Sequence, residues 1–181
     1  MRSGWLLRER VLANEERGVN AAYITGDIFN LDCLVEPVSD DLYTAAGPVE
    51  LVGVDASVLA DAITKHPALA FDVVRRLVAD ADWLREAITA IGRLDALDRL
   101  LVFIGQTRRR LISADQLKPD ARQFRFPLTQ LQIAEVIGVS AIHANRTVRR
   151  LQDEGIATIR GKRIWIDNLR RIEDTLMEVS V

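Results

Sequence analysis

Residues that build covalent or metal-bound sites are scarce in this chain. One Cys and two His among 181 residues exclude an intrachain disulfide and leave too few ligands for a closed zinc or iron–sulfur site. No apolar run reaches the roughly 18 residues of a membrane span, and the opening MRSGWLLRERVL is too charged for a signal peptide. Phosphate-loop and nucleophile-elbow motifs are also missing. We therefore expect a cytoplasmic protein that is neither an enzyme nor dependent on a cofactor.

Charge is distributed unevenly along the chain. Residues 1–94 carry 9 Lys/Arg against 15 Asp/Glu, a net charge of −6, whereas residues 95–181 carry 15 against 11, a net charge of +4. The net charge of the whole chain, −2, conceals this difference. The C-terminal half is therefore the part that would attract phosphates.

The N-terminal half has the alternating pattern of short strands. Turn signals such as ERG and TGD separate four predicted strands, over Gly4–Ala13, Asn20–Ile24, Asp27–Leu31 and Pro48–Val54. The period becomes helical after Val54, and Pro67 suits the first turn of a long helix. The pattern predicts an α+β protein.

Apolar residues recur along this long helix at alternating spacings of three and four, the pattern of a heptad seam. They are Val74, Leu77, Ala81, Leu84, Ile88 and Ile91. Such a seam can pack on its own domain or pair with a second copy. We favour a dimer helix, because the β portion is too small to cover a helix of this length.

The segment Gly92–Asp95 interrupts the seam, and Asp95 is a suitable N-cap for the next helix. We therefore divide the chain into residues 1–94 and residues 95–181. The next helix is predicted from Ala96 to about Gln106, with the cations of Arg108–Arg110 near its C-terminus. The polar segment Ser113–Arg122 is predicted to be a loop.

Two short helices joined by a glycine turn are predicted further along. Residues 129–132, TQLQ, form a capping box that starts the first helix. Gly138 permits a sharp turn, Ser140 can cap the second helix, and Gly155 ends it. This order is that of a helix-turn-helix.

The second of these helices has two different faces. At about 100° per residue, the apolar side chains that point inward are Ala141, Ala144, Val148 and Leu151. The outer face comprises Ile142, Arg146 and Arg149, flanked by Asn145 and Arg150. Guanidinium and amide groups can read base edges or contact phosphates. An arginine-rich face can also be merely solvated, and His143 is open between DNA contact and plain surface.

The segment IATIRGKRIWI that follows predicts a β-hairpin with a basic tip. In a winged helix-turn-helix this tip lies near the DNA backbone. Arg160, Lys162 and Arg163 would then position the protein without carrying sequence information. A last helix is predicted from Leu169 to about Glu178, capped by Asp167 or Asn168.

The run PLTQLQIAEVIGVSAIHANRTVRRLQDEGI, residues 127–156, resembles the helix-turn-helix of Crp/Fnr-type transcription regulators. YITGDIF resembles the turn of that family's sensory β-roll, and GRLDALDRLLVFI the junction between its dimer helix and DNA-binding domain. The resemblance implies a partial double-stranded β-helix (jelly-roll) domain followed by a long dimerisation helix and a winged helix-turn-helix. It also implies a homodimer, a twofold-symmetric site on double-stranded DNA, and RNA polymerase as a candidate partner.

The resemblance assigns roles to individual residues. The family's base-contacting positions fall on Ala141, Ile142, Asn145 and Arg146. Backbone contacts fall on Thr129, Gln130, Ser140 and His143. Ala141 and Ile142 replace the Arg and Glu of members that read a G-rich half-site. The resemblance therefore implies a different target sequence.

The effector site departs from that of the cyclic-nucleotide binders in the family. Where they hold the ring phosphate, this sequence has Asn30 and Leu31, then approximately Ser39 and Asp40. The phosphate-binding Arg is missing and acidic residues stand nearby, so cyclic AMP is not the expected effector. The effector is therefore unknown. We expect Cys33 to be a buried, unreactive thiol, with redox sensing as the alternative.

The resemblance begins in the middle of the roll, without the family's early strands. Half a roll exposes strand edges and apolar faces. Either the chain is a piece of a longer protein, or it is a shortened regulator whose half-roll is covered by a partner. As an alternative function, such a chain could be an interaction module that heterodimerises with a full-length relative and modulates its DNA binding.

Overall fold

The N-terminal part of the protein is a three-stranded antiparallel sheet in the order β2-β1-β3. The computed structural model describes residues 1–11, 17–35 and 41–180. The strands are β1 (Trp5–Val11), β2 (Arg17–Ile24) and β3 (Asp41–Ala45). Trp5 pairs with Ile24 and Leu6 with Ala45. Because side chains alternate across a strand, Trp5 and Leu7 share one face and Leu6 and Arg8 the other.

Two of the predicted strands are wrong. Asp27–Leu31 is not a strand: it leads into a short 3-10 turn, Leu31–Leu34. Pro48–Val54 is also no strand and joins the sheet only through a single bridge between Ser3 and Glu50. The prediction for Gly4–Ala13 is confirmed up to Val11, and its last two residues lie outside the described residues.

Helices dominate the rest of the chain. They are α1 (Ala56–Lys65), α2 (Pro67–Arg93), α3 (Ala96–Ser113), α4 (Gln130–Ile137), α5 (Ala141–Asp153) and α6 (Leu169–Met177). A second antiparallel sheet, in the order β4-β6-β5, comprises β4 (Gln123–Arg125), β5 (Ala157–Arg160) and β6 (Arg163–Ile166). The α+β class is confirmed.

Helix α3 lies at the centre of the protein. Its N-cap Asp95 accepts a hydrogen bond from the backbone N–H of Asp98. Leu100, Leu101 and Ile104 of this helix are completely buried. Helix α3 runs to Ser113, about two turns beyond its predicted end, because tertiary packing rather than local sequence stabilises its second half.

The three consecutive arginines of α3 are integrated into the structure. Arg108 and Arg110 are largely buried and Arg109 is half-exposed, and each has an acidic partner on another element. They lie in the last two turns of α3, near its C-terminus as predicted. Successive residues of a helix point about 100° apart, so the three guanidinium groups reach different neighbours.

The N-terminal sheet and the C-terminal half share one hydrophobic core. The Trp5 ring lies 6.5 Å from that of Phe103 in α3 and 5.5 Å from that of Phe126, which follows β4, measured between centroids. Leu7 and Ile24 belong to the same buried cluster as the helices of the C-terminal half. The division at residues 94 and 95 coincides with the break between α2 and α3, but it stays a prediction.

Helix α2 packs on α3 with one side and leaves most of its seam exposed. Glu86 and Ala90 on the packed side are buried. Among the seam residues, Ile88 is 69% exposed, Val74 54% and Leu84 44%. The described part of the chain therefore covers this long apolar stripe only in part.

Candidate DNA-binding surface

Helices α4 and α5 form the predicted helix-turn-helix. The Thr129 Oγ1 accepts the N–H of Gln132 at 3.2 Å, and the Gln132 Oε1 accepts the N–H of Thr129 at 2.9 Å. The capping box is thereby complete. Gly138 follows α4 with φ of 68°, a left-handed conformation that costs glycine little. Ser140 caps α5 through the N–H of His143.

The inner face of α5 differs in one residue from the prediction. Ala144 and Leu151 are completely buried and Val148 packs partly against the core. Ala141 is exposed, so the expectation that it closes the core is wrong. Thr147, 3% exposed, takes part instead, and its hydroxyl donates to the carbonyl of His143. Gly155 ends the helix in a left-handed conformation, φ 63°, as predicted.

Two arginines on the outer face of α5 are available to a ligand. The side chains of Arg146 and Arg149 are exposed and make no ion pair or side-chain hydrogen bond to any described residue. Ile142 beside them is 71% exposed, and His143 is exposed as well. An uncovered apolar side chain and two unpaired cations on one helix face form a surface that suits a polyanion with apolar groups.

Asn145 and Arg150 are held by neighbours within the protein. The Nδ2 of Asn145 donates to the Oε1 of Gln130, at the start of α4, at 2.6 Å. Arg150 pairs with Asp95 at 2.8 Å and with Glu154 at 2.6 Å, and these carboxylates raise the pKa of its guanidinium. The role of Arg150 as a DNA contact stays a prediction.

Contacts that the sequence did not indicate tie the start of α3 to the helix-turn-helix. Asp95 bridges to Arg150 on α5, and the Arg99 guanidinium donates to the carbonyl of Ile137 at the end of α4, at 3.3 Å. Both partners lie more than 35 residues further along the chain. The junction of α2 and α3 therefore fixes the position of α4 and α5.

The predicted basic hairpin is formed by β5 and β6. Its two-residue loop, Gly161-Lys162, has φ of 57° and 60°, as in a type I′ turn. The sequence did not predict that strand β4 would join this hairpin and form a row of arginines with it. Arg160, Arg163 and Arg125 lie opposite one another across the three strands. No described carboxylate pairs with these three exposed side chains. Like charges at such positions repel one another unless an anion neutralises them.

We expect the Lys162→Ala variant to lower the salt dependence of DNA binding. Loss of one phosphate contact reduces the slope of log K against log salt concentration by about 1. Fluorescence anisotropy titrations at several salt concentrations measure this slope. Lys65→Ala, at the exposed end of α1, is the matched control and should leave the slope unchanged. An equal slope in Lys162→Ala and the parent protein would show that the tip of the β5–β6 hairpin does not contact DNA.

A second site is a cavity of about 380 Å³ between the N-terminal sheet and α2. The Arg8 guanidinium is neutralised there by Asp41, at 2.5 Å, and Asp32, at 2.7 Å. Hydrogen bonds from Arg10 and Arg8 lower the pKa of Asp41, while burial raises the pKa of Tyr43 to about 12. The other two arginines that line the cavity, Arg10 and Arg110, are also paired with carboxylates, so the cavity offers little attraction to an anion.

Several predictions on this side of the molecule have mixed outcomes. Asn30 and Leu31 line the cavity, but Ser39 and Asp40 lie outside the described residues. Cys33 is half-buried rather than buried. Within residues 1–11, 17–35 and 41–180, no cluster of His, Cys, Asp and Glu could hold a metal ion, and no helix is long and apolar enough to cross a membrane.

The fold and this surface define a class of protein: a winged helix-turn-helix joined by a long helix to a β-sheet. Residues 98–175 match the Crp-like helix-turn-helix domain family. The chain is 22% identical to the anaerobic regulatory protein of Haemophilus influenzae over 169 residues, 93% of this chain and 65% of that protein. It is also 22% identical to the fumarate and nitrate reduction regulatory protein of Escherichia coli K12, covering 93% and 66%.

Solved structures show the same architecture. FixK2 from Bradyrhizobium japonicum superimposes with a TM-score of 0.71 at 18% identity, covering 96% of this chain and 84% of that one. With its Crp-like helix-turn-helix domain and this shared fold, the chain is similar to regulators of the Crp/Fnr type. It spans about two thirds of the length of the curated relatives it matches.

Proposed function

We propose that this protein is a transcription regulator that binds a specific DNA sequence as a homodimer. The observation that carries the proposal is the outer face of α5, where Arg146 and Arg149 are exposed and without partners among the described residues. Elsewhere in α4 and α5, the capping side chains bond backbone groups at the helix ends, and the inner faces are buried in the core. The outer face of α5 is therefore the part that is available to a ligand.

In the proposed complex, α5 lies in the major groove of DNA. Arg146 can contact guanine O6 and N7 with its two-pronged guanidinium, and Asn145 can contact adenine. Ile142 cannot form hydrogen bonds to bases, but its exposed side chain can pack on a thymine methyl group. Thr129, Ser140, His143 and Lys162 would contact the backbone, which positions the helix without reading sequence.

The seam of α2 supports the dimer. A second copy packed on Val74, Leu77, Ala81, Leu84, Ile88 and Ile91 would cover an apolar stripe that the described chain leaves open. A twofold axis along the seam would present two copies of α5 to half-sites one helical turn apart, about 34–36 Å. A small-molecule effector of unknown identity and a contact with RNA polymerase are predictions that follow from the family resemblance alone.

The test begins with selection of bound duplexes from a random pool, which yields an operator. We expect Arg146→Ala to weaken binding to this operator by roughly 1–3 kcal/mol and to relax one base position. Affinities for the operator and for single-base variants measure both effects. Arg150→Ala is the matched control: because Arg150 already pairs with Asp95 and Glu154, its loss should leave every base preference in place.

Two results would contradict the proposal. A uniform loss on all sequences in Arg146→Ala would make Arg146 a phosphate contact rather than a base contact. Failure of the chain alone to select any duplex, with binding restored by a full-length relative, would instead favour the interaction module.

A further inference from the structure

The start of α4 and the middle of α5 are linked by one side-chain hydrogen bond. The Asn145 Nδ2 donates to the Gln130 Oε1 at 2.6 Å, although the two residues are 15 positions apart. Gln130 is exposed and Asn145 half-buried, and neither makes another side-chain hydrogen bond to a described residue. The bond therefore fixes the orientation of the Asn145 amide and does little to hold the two helices together.

The orientation decides what Asn145 presents to the groove. With one N–H of Nδ2 directed to Gln130, the carbonyl Oδ1 and the second N–H remain for a base. If the amide were turned by 180°, Oδ1 would face the Oε1 of Gln130, and two acceptors repel each other. The Gln130 amide could turn as well and present its Nε2, but an Nε2 that donates to a DNA phosphate keeps Oε1 towards Asn145. In the DNA complex, Gln130 thus selects one of the two orientations of the Asn145 amide.

An outward acceptor beside an outward donor matches one base in the major groove. Adenine offers the N6 amino donor next to the N7 acceptor, whereas guanine offers two acceptors and thymine an acceptor and a methyl group. Cytosine offers only the N4 donor, so it satisfies half of the pair. A freely turning amide would accept guanine or thymine as well, with its two N–H groups as donors.

We infer that Gln130 is a positioning residue that sets the base specificity of Asn145 and makes it a reader of adenine. The inference rests on the proposed function, since it concerns how the DNA surface distinguishes bases. It goes beyond the backbone contact that the family resemblance implies for Gln130, because it assigns a role to the Oε1 that faces Asn145. A backbone contact alters affinity equally on all sequences, whereas a positioning role alters the preference at one base pair.

Three substitutions at Gln130 separate these roles. Gln130→Glu keeps an acceptor towards Asn145 and should preserve the adenine preference. In the parent protein, the preference for adenine over the other bases should be on the order of tenfold. Gln130→Ala removes the acceptor and should reduce this preference to about twofold or less. Gln130→Lys supplies only donors, which would turn Oδ1 inward and the N–H groups outward, so that the preference moves to guanine or thymine.

The measurement is the ratio of affinities for the four base pairs at one operator position, for each variant. Asn145→Ala identifies this position as the one where discrimination disappears. Leu131→Glu and Leu131→Lys add the same charges at the neighbouring exposed residue, away from the Asn145 amide, and control for charge. Because only ratios within one protein are compared, a uniform change in affinity does not affect the result.

The outcomes are distinguishable. If the parent protein selects no duplex, the proposed DNA-binding function fails. If it selects an operator, but Asn145→Ala relaxes no position or the Gln130 variants keep the parent's preference, the positioning role of Gln130 is overturned while DNA binding stands. A shift of preference in Gln130→Lys that is absent from Leu131→Lys would support the inference.

Discussion

Replacement of Asp27 by Ala is expected to lower the free energy of unfolding by about 3–5 kcal/mol. Asp27 is 3% exposed and joins three elements of the structure. Its carboxylate accepts the N–H of Ile24 at the end of β2 at 2.7 Å, pairs with Arg76 of α2 at 3.0 Å, and contacts the Arg110 guanidinium of α3. Without it, the carbonyl of Ala22 would be the only hydrogen-bond acceptor left to the buried Arg110 among the described residues.

The size of this effect follows from burial rather than from the attraction of the pair. A charge left in the interior without its partner cannot regain its hydration, whereas an exposed charge can. Urea unfolding at a fixed protomer concentration measures the change, because stability and self-association are coupled. Asp82→Ala breaks the exposed pair with Arg85 and should cost at most about 1 kcal/mol. Equal losses in the two variants would show that the Asp27 network is not buried in solution.

The helix-turn-helix could be predicted from sequence because its signals are local. The capping box at Thr129, the glycine at Gly138 and the cap at Ser140 act within a few residues of themselves. Each of them satisfies backbone groups that any helix end leaves unpaired, so the same residues have the same effect in most proteins. The turn of the β5–β6 hairpin, Gly161-Lys162, is local in the same sense, since it needs positive φ at both of its residues.

Contacts between distant parts of the chain could not be predicted from such local signals. Arg110 resembles a solvated surface cation in sequence, and only the fold brings Asp27, 83 residues away, beside it. The hydrogen bond between Gln130 and Asn145 likewise depends on the angle at which α4 meets α5. The segment Pro48–Val54 has the composition of a strand, but both edges of β1 are already occupied by β2 and β3, so it pairs only at Glu50.

Replacement of Ile88 by Glu is expected to convert the proposed dimer into a monomer. Ile88 is the most exposed of the seam residues, at 69%, so its substitution removes little packing within the chain itself. Across a twofold seam, however, the two glutamates would face each other in an apolar interface, where loss of hydration and mutual repulsion oppose pairing. Sedimentation velocity at micromolar concentration measures the change in mass.

Loss of the dimer should also weaken DNA binding more than loss of any single contact. Specific recognition by such regulators exceeds non-specific binding by about 4–10 kcal/mol, and a monomer engages only one of two half-sites, so roughly 2–5 kcal/mol should be lost. Thr89→Glu adds the same charge one residue away, at an exposed position outside the seam, and should leave both mass and affinity unchanged. An Ile88→Glu protein that still sediments as a dimer would place the interface elsewhere. A monomer that binds the full operator as tightly as the parent protein would show that pairing through α2 contributes nothing to recognition.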